Sequence, residues 1–182
     1  MSFLCVETRL QRGLGTSLIL SFAKHEEDRA AGRNALLSVS KRLGLSLDID
    51  ALRFPHPHFS LSHSGGTGAA IAWTGTDNFA GIGIDIERKR EIDPRSARFF
   101  LREEERFDLK HSQDNLLRLW TVKEALFKAD PDNRDQGVRD YIVDSAHRML
   151  GKARHIKTGR TFLYQSERTE FGFLTVALAQ GT

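Results

Sequence analysis

The 182-residue chain reads as an α+β fold, with strands and helices interspersed but without regular βαβ alternation. Three observations predict it. Isoleucines occupy every second position of Gly81-Ile82-Gly83-Ile84-Asp85-Ile86-Glu87, the period of a strand. Leu36, Val39 and Leu43 recur at helical spacing, and β-prone runs stand near both ends of the chain.

Taken in order, Phe3-Leu4-Cys5-Val6 and Leu18-Ile19-Leu20 flank a Gly13/Gly15 turn region and predict a hairpin over 3–22. An amphipathic helix follows over 26–43. Its basic side carries Arg29, Arg33, Lys41 and Arg42, and Gly44 ends it. After Pro55 and Pro57, the run Phe59-Ser60-Leu61-Ser62-His63-Ser64-Gly65-Gly66 reads as turn-rich, leading into a strand over 69–73 and a second over 81–87. Asp93 before Pro94 starts a helix over 94–109, and Ser112 starts another reaching 129. Two strands, 161–165 and 171–179, close the chain.

With 40% apolar residues the chain buries one large domain or two small halves. Charged residues make up 28% and both signs are mixed, which argues against a disordered tail or polybasic arm. The net charge of +3 favours anionic partners without choosing among them. The longest apolar run, 18–22, is too short to span a bilayer and no leader pattern opens the chain, so a cytoplasmic protein without membrane contact is expected. Cys5 is the single cysteine and has no thiol partner.

Three segments carry groups for chemistry. In the 81–87 strand, Asp85 and Glu87 at i and i+2 share the face opposite the isoleucines, about 7 Å apart at the backbone, within reach of one hard cation. The glycines beside them leave room for a bulky ligand. In Trp120-Thr121-Val122-Lys123-Glu124-Ala125-Leu126-Phe127-Lys128, helical spacing sets Glu124 and Lys128 on one side. Ser62-His63-Ser64-Gly65-Gly66 offers hydroxyls, an imidazole and amides suited to phosphate, but it is not a Walker loop. Each segment alone also reads as something ordinary: a solvated acidic strand face, a surface ion pair, a polar loop.

In this order the three segments resemble motifs of the 4'-phosphopantetheinyl transferase family, specifically its larger, surfactin-synthetase-activating type. Phe59 to Ser64 is similar to Phe-Asn-x-Ser-His-Ser, Gly83 to Glu87 to Gly-x-Asp-x-Glu, and Trp120 to Lys128 to Trp-x-x-Lys-Glu-x-x-x-Lys. The resemblance runs from about Arg29 to Lys128; the family's Gly-Lys-Pro element is missing, and Pro55-His56-Pro57-His58 stands in its place. It implies a monomer of two similar α+β halves related by a pseudo-two-fold axis, 1–78 with the basic helix and Ser-His-Ser segment and 79–182 with the metal strand and Lys-Glu helix. It also implies a holo-[acyl-carrier-protein] synthase type of enzyme. Such an enzyme moves the phosphopantetheine arm of coenzyme A to a serine of an acyl or peptidyl carrier protein, releasing 3',5'-ADP, in fatty acid, polyketide or nonribosomal peptide synthesis. By the same resemblance Asp85, Glu87 and Glu124 bind magnesium, or manganese in its place. Lys128 contacts the pyrophosphate, Ser62 and His63 lie near the nucleotide phosphates, and Arg29, or Arg33 beside it, holds the 3'-phosphate. Glu104 falls where the family has a further acidic residue. Glu124, directly or through a water, removes the serine proton.

Two competing readings remain in view. Asp77, Glu87 and Lys89 have a tolerable spacing for a metal-dependent nuclease, although that leaves the Ser-His-Ser segment and the Lys-Glu helix without roles; the transferase reading expects no nucleic-acid partner. A catalytically inactive carrier-binding module is the non-enzymatic alternative, against which the intact carboxylates argue.

Overall fold

A computed structural model describes residues 3–107 and 112–181. Its strands form two antiparallel sheets. The first has the order β1-β3-β2, from β1 (Leu18–Lys24), β2 (Phe59–Ser64) and β3 (Thr67–Trp73). The second runs β4-β8-β7-β6-β5, from β4 (Phe79–Arg88), β5 (Tyr141–Val143), β6 (Leu150–His155), β7 (Thr161–Arg168) and β8 (Gly172–Gln180). The helices are α1 (Phe3–Leu14), α2 (Asp28–Arg42), α3 (Glu103–Phe107) and α4 (Gln113–Ala129). The α+β class follows from this mixture.

Side-chain alternation distributes the strands among three cores. On β3, Ala69, Ile71 and Trp73 point into a core shared with Ile82, Ile84 and Ile86 of β4, and Val6, Leu10 and Leu14 of α1 join it. The intervening Ala70 and Ala72 face the other way, against Ala35, Leu36 and Val39 of α2. The outer face of the larger sheet packs on α4 through residues such as Val122, Leu126, Phe162 and Ala177. Both sheets are therefore covered on two faces by apolar contacts, the main source of stability for a chain of this size.

Four sequence expectations are corrected. Residues 3–14 are helix, not the first strand of a hairpin: Val6, Leu10 and Leu14 stand four apart and bury one helical stripe, so packing overrides the β preference of the local run. Phe59 to Ser64 is a full strand; the turn is confined to Gly65 and Gly66, whose positive φ of 55° and 77° suits glycine. The helix expected over 94–109 is a 3-10 segment, Pro94–Phe99, begun as expected by Asp93 accepting from the Arg95 amide, then a break, then α3. Residues 108 and 109 lie outside the described residues. Finally, β4 has no solvated acidic face, because α4 covers the side that carries Gly83 and Asp85. Strands β5 and β6 were not anticipated at all.

No described helix is long and apolar enough to cross a membrane.

Candidate active site

The two sheets meet where edge strand β2 runs beside edge strand β4, and serines join them. At a strand period of two, Ser60, Ser62 and Ser64 all point toward β4. Their hydroxyls accept the amides of Ile84, Ile86 and Arg88 at 3.1, 3.4 and 3.2 Å, so β4 donors facing the seam are satisfied without a backbone ladder. Two of the same hydroxyls then reach the acidic residues. Ser62 donates to Asp85 Oδ1 at 2.8 Å and Ser64 to Glu87 Oε2 at 3.1 Å.

The second wall is α4, which Ser112 caps by accepting from the Asn115 amide. Gly81 and Gly83 serve it rather than a ligand. A Cβ on Gly83 would lie 2.0 Å from the Ala125 carbonyl oxygen, and one on Gly81 2.4 Å from that of Ala129, so the helix backbone rests directly on the strand. That close approach brings Glu124 and Lys128, one turn apart, over Asp85. Leu61, Ser62, His63, Asp85, Glu87, Trp120, Glu124 and Lys128 line one cleft of about 310 Å³.

The ion pairing within the cleft differs from the pair expected along α4. Lys128 reaches Asp85 Oδ1 at 2.7 Å and Ser62 Oγ at 3.1 Å. Asp85 is only 5% exposed, and its Oδ2 is buried without a hydrogen-bond partner. Burial pushes its carboxyl above the usual range, with Lys128 and Ser62 opposing. Glu124, half-buried, is raised by burial and next by the Asp85 charge, Lys128 again opposing. Glu87 is held differently: besides Ser64, it accepts from Trp120 Nε1 at 2.9 Å and from Arg90 at 3.2–3.3 Å.

Of the expected residues not yet placed, only His63 lines this cleft. His63 is exposed in it, with Nδ1 4.0 Å from Asp28 of α2, which also accepts the Gly66 amide. Arg29 is exposed at the start of α2, and Arg33 pairs with exposed Asp50 at 2.5 Å; neither lines the cleft. Glu104 points to solvent, its side chain 73% exposed. Its neighbour Glu105 turns inward to Lys123 at 2.5 Å and also accepts the amides of Arg102 and Val143. The contacts of Glu105 with Lys123, of Ser64 with Glu87 and of the Trp120 indole with Glu87 escaped the sequence reading; the period-two serines were the available signal for Ser64.

Among the described residues, no three His, Cys, Asp or Glu side chains stand close enough to hold an ion as placed. Asp85, Glu87 and Glu124 nevertheless suit a hard divalent cation, being hard oxygen donors on one cleft, with one buried carboxylate oxygen unpartnered and with Glu124 raised by the charges of the other two.

No curated protein matches the chain. A sequence model of the 4'-phosphopantetheinyl transferase superfamily matches residues 81–172, half of the 182, spanning β4, α4 and the strands up to the start of β8. The chain belongs to the 4'-phosphopantetheinyl transferase superfamily.

Proposed function

We propose that the protein transfers the 4'-phosphopantetheine arm of coenzyme A to a serine of an acyl or peptidyl carrier protein, as a member of the larger, surfactin-synthetase-activating type with halves at 1–78 and 79–182. The observation that carries this reading is the convergence of Asp85, Glu87, Glu124 and Lys128, from β4 and α4, with Ser62 and His63 of β2 on one cleft.

In the transfer, the carrier serine oxygen bonds to the β-phosphorus of coenzyme A, the bond from that phosphorus to the bridging oxygen breaks, and 3',5'-ADP leaves. Glu124, the carboxylate on α4 with no fixed donor in the cleft, takes the serine proton. Lys128 exchanges its Asp85 contact for the pyrophosphate, where its ammonium offsets charge gathering on the leaving group. Ser62 and His63 of the cleft would contact the nucleotide phosphates, and Arg29, or Arg33 after releasing surface Asp50, would hold the 3'-phosphate. Asp85, Glu87 and Glu124 would hold magnesium, which when bound neutralises pyrophosphate oxygens and orients them.

The nuclease alternative finds less support. Asp77 accepts from Thr16 Oγ1 at 2.6 Å ahead of β4, whereas Glu87 lies near its far end, roughly 27 Å along the strand from Phe79. The deciding experiment is incubation with coenzyme A, magnesium and a panel of apo carrier domains, read by intact mass. Addition of one phosphopantetheine, lost in EDTA, is expected; equal modification with and without EDTA removes the metal from the proposal, and no modification of any carrier removes the reading.

A further inference from the structure

Each serine of β2 that accepts a backbone amide across the seam still has one hydroxyl proton to place. Ser62 takes the Ile86 amide and gives its proton to Asp85; Ser64 takes the Arg88 amide and gives its proton to Glu87. Ser60 takes the Ile84 amide in the same way, but the residue before Ile84 is Gly83, which has no side chain to hold. The seam therefore grips a carboxylate at each place where β4 presents one.

Ser62 and Ser64 differ in what else holds their carboxylate. Lys128 bonds the same Asp85 oxygen that Ser62 bonds, so Asp85 keeps a partner without the hydroxyl. Glu87 is more dependent. Its Oε1 is fixed by the Trp120 indole at 2.9 Å, whereas Oε2 has Ser64 at 3.1 Å and Arg90 at 3.3 Å, and the Arg90 side chain is half in water. The last torsion of a glutamate is broad, so a carboxylate held at one oxygen still turns, and a donor on the second oxygen fixes its plane. Ser64 is itself well anchored: it pairs with Thr67 at the closed end of the β2–β3 hairpin, and the turn it enters is tied to α2 by the Gly66 amide, which donates to Asp28 at 2.5 Å.

We propose that Ser64 is a positioning residue that sets the plane of the Glu87 carboxylate for the divalent cation, acting across the seam between the two sheets. The inference rests on the reading that Asp85, Glu87 and Glu124 hold such a cation. Trp120 from α4 and Ser64 from β2 then hold one ligand from two sides, and the loss of a group that orients a metal ligand from behind costs about ten- to hundredfold in metal affinity.

Mn2+ titrated into the protein with saturating coenzyme A, followed by electron paramagnetic resonance, tests the role, with denaturant unfolding of each variant alongside. Ser64→Ala should weaken Mn2+ about tenfold or more. Its unfolding midpoint should stay near the parent's, since the Arg88 amide it releases lies at the exposed end of β4, where water replaces the acceptor. Ser64→Thr keeps the hydroxyl and should retain near-parental affinity. In a Glu87→Ala background, which leaves Asp85 and Glu124 for the ion, Ser64→Ala should change Mn2+ affinity by less than about twofold, because its route to the ion is gone. Parental affinity in Ser64→Ala, equal weakening in Ser64→Thr, or weakening of full size in the Glu87→Ala background overturns the positioning role and leaves the cation reading standing. A parent protein that takes up no Mn2+ beyond that of coenzyme A alone overturns the cation reading, and the proposal with it.

Discussion

Helix α4 carries two lysine–carboxylate pairs five residues apart, and they are finished to different degrees. Lys123 is fully buried and Glu105 nearly so; Lys123 also donates to the Tyr141 carbonyl, while Glu105 accepts two backbone amides. The Lys128–Asp85 pair is open. Its lysine side chain is 29% exposed, and one Asp85 oxygen is buried with no partner. A pair with every group satisfied fixes α4 against α3 and β5, whereas the pair with an unmet oxygen borders the cleft proposed to hold the metal. Protein interiors seldom leave a buried carboxylate oxygen unpaired, because the desolvation cost goes uncompensated.

The largest expected effect tests the sealed pair. Lys123→Met leaves Glu105 charged, buried and short of its cation, and removal of one partner from a buried pair costs about 3–5 kcal/mol. Denaturant unfolding should show that loss, and the double variant Lys123→Met/Glu105→Leu should recover part of it. A loss below about 1 kcal/mol would make the pair no more structural than a surface one.

Next in size is the chemistry of the open site. Glu124→Gln keeps shape and helix propensity but removes the group proposed to take the proton, so turnover should fall about a hundredfold or more while the unfolding midpoint holds. Near-parental transfer would remove α4 from the chemistry. Asp85→Asn separates the two pairs most cleanly, because its effects on activity and stability should diverge. Transfer should collapse, but stability should stay within about 1 kcal/mol of the parent, since the change discharges a poorly solvated carboxylate instead of stranding a sealed one. A loss as large as that of Lys123→Met would show that Asp85 and Lys128 are holding the fold.

What could be read in advance divides along the same line. The alternation of Ile82, Ile84 and Ile86 placed β4 and the Ser112 cap placed α4 correctly, because both are local signals. The three motifs in order also marked the cleft residues. Contacts between distant segments were not legible. Whether Glu104 or Glu105 turns inward depends on where α3 meets Lys123, and three consecutive glutamates look alike in sequence. Gly81 and Gly83 read locally as space for a ligand because nothing local shows a helix backbone arriving there. The mistake at 3–14 has the same origin, since the stripe of Val6, Leu10 and Leu14 becomes decisive only against the core that receives it.

The smallest expected effect concerns a third pair, Arg33–Asp50, which lies on α2 away from the cleft with both side chains well exposed. Water screens it, and a pair of this kind contributes about 0.2–1 kcal/mol to stability. Asp50→Ala should therefore leave the unfolding midpoint almost unchanged. If Arg33 is held in reserve for the 3'-phosphate, freeing it should tighten coenzyme A slightly while leaving dephospho-coenzyme A as it was, because only the former carries that phosphate. Arg29→Ala, by contrast, should weaken coenzyme A more than dephospho-coenzyme A, by about 1.5–3 kcal/mol for a charged hydrogen bond. Calorimetry with the two ligands on both variants assigns the arginines. Equal weakening of both ligands by Arg29→Ala, with coenzyme A tightened by Asp50→Ala, would transfer the 3'-phosphate to Arg33, and indifference of all four measurements would take α2 out of nucleotide binding.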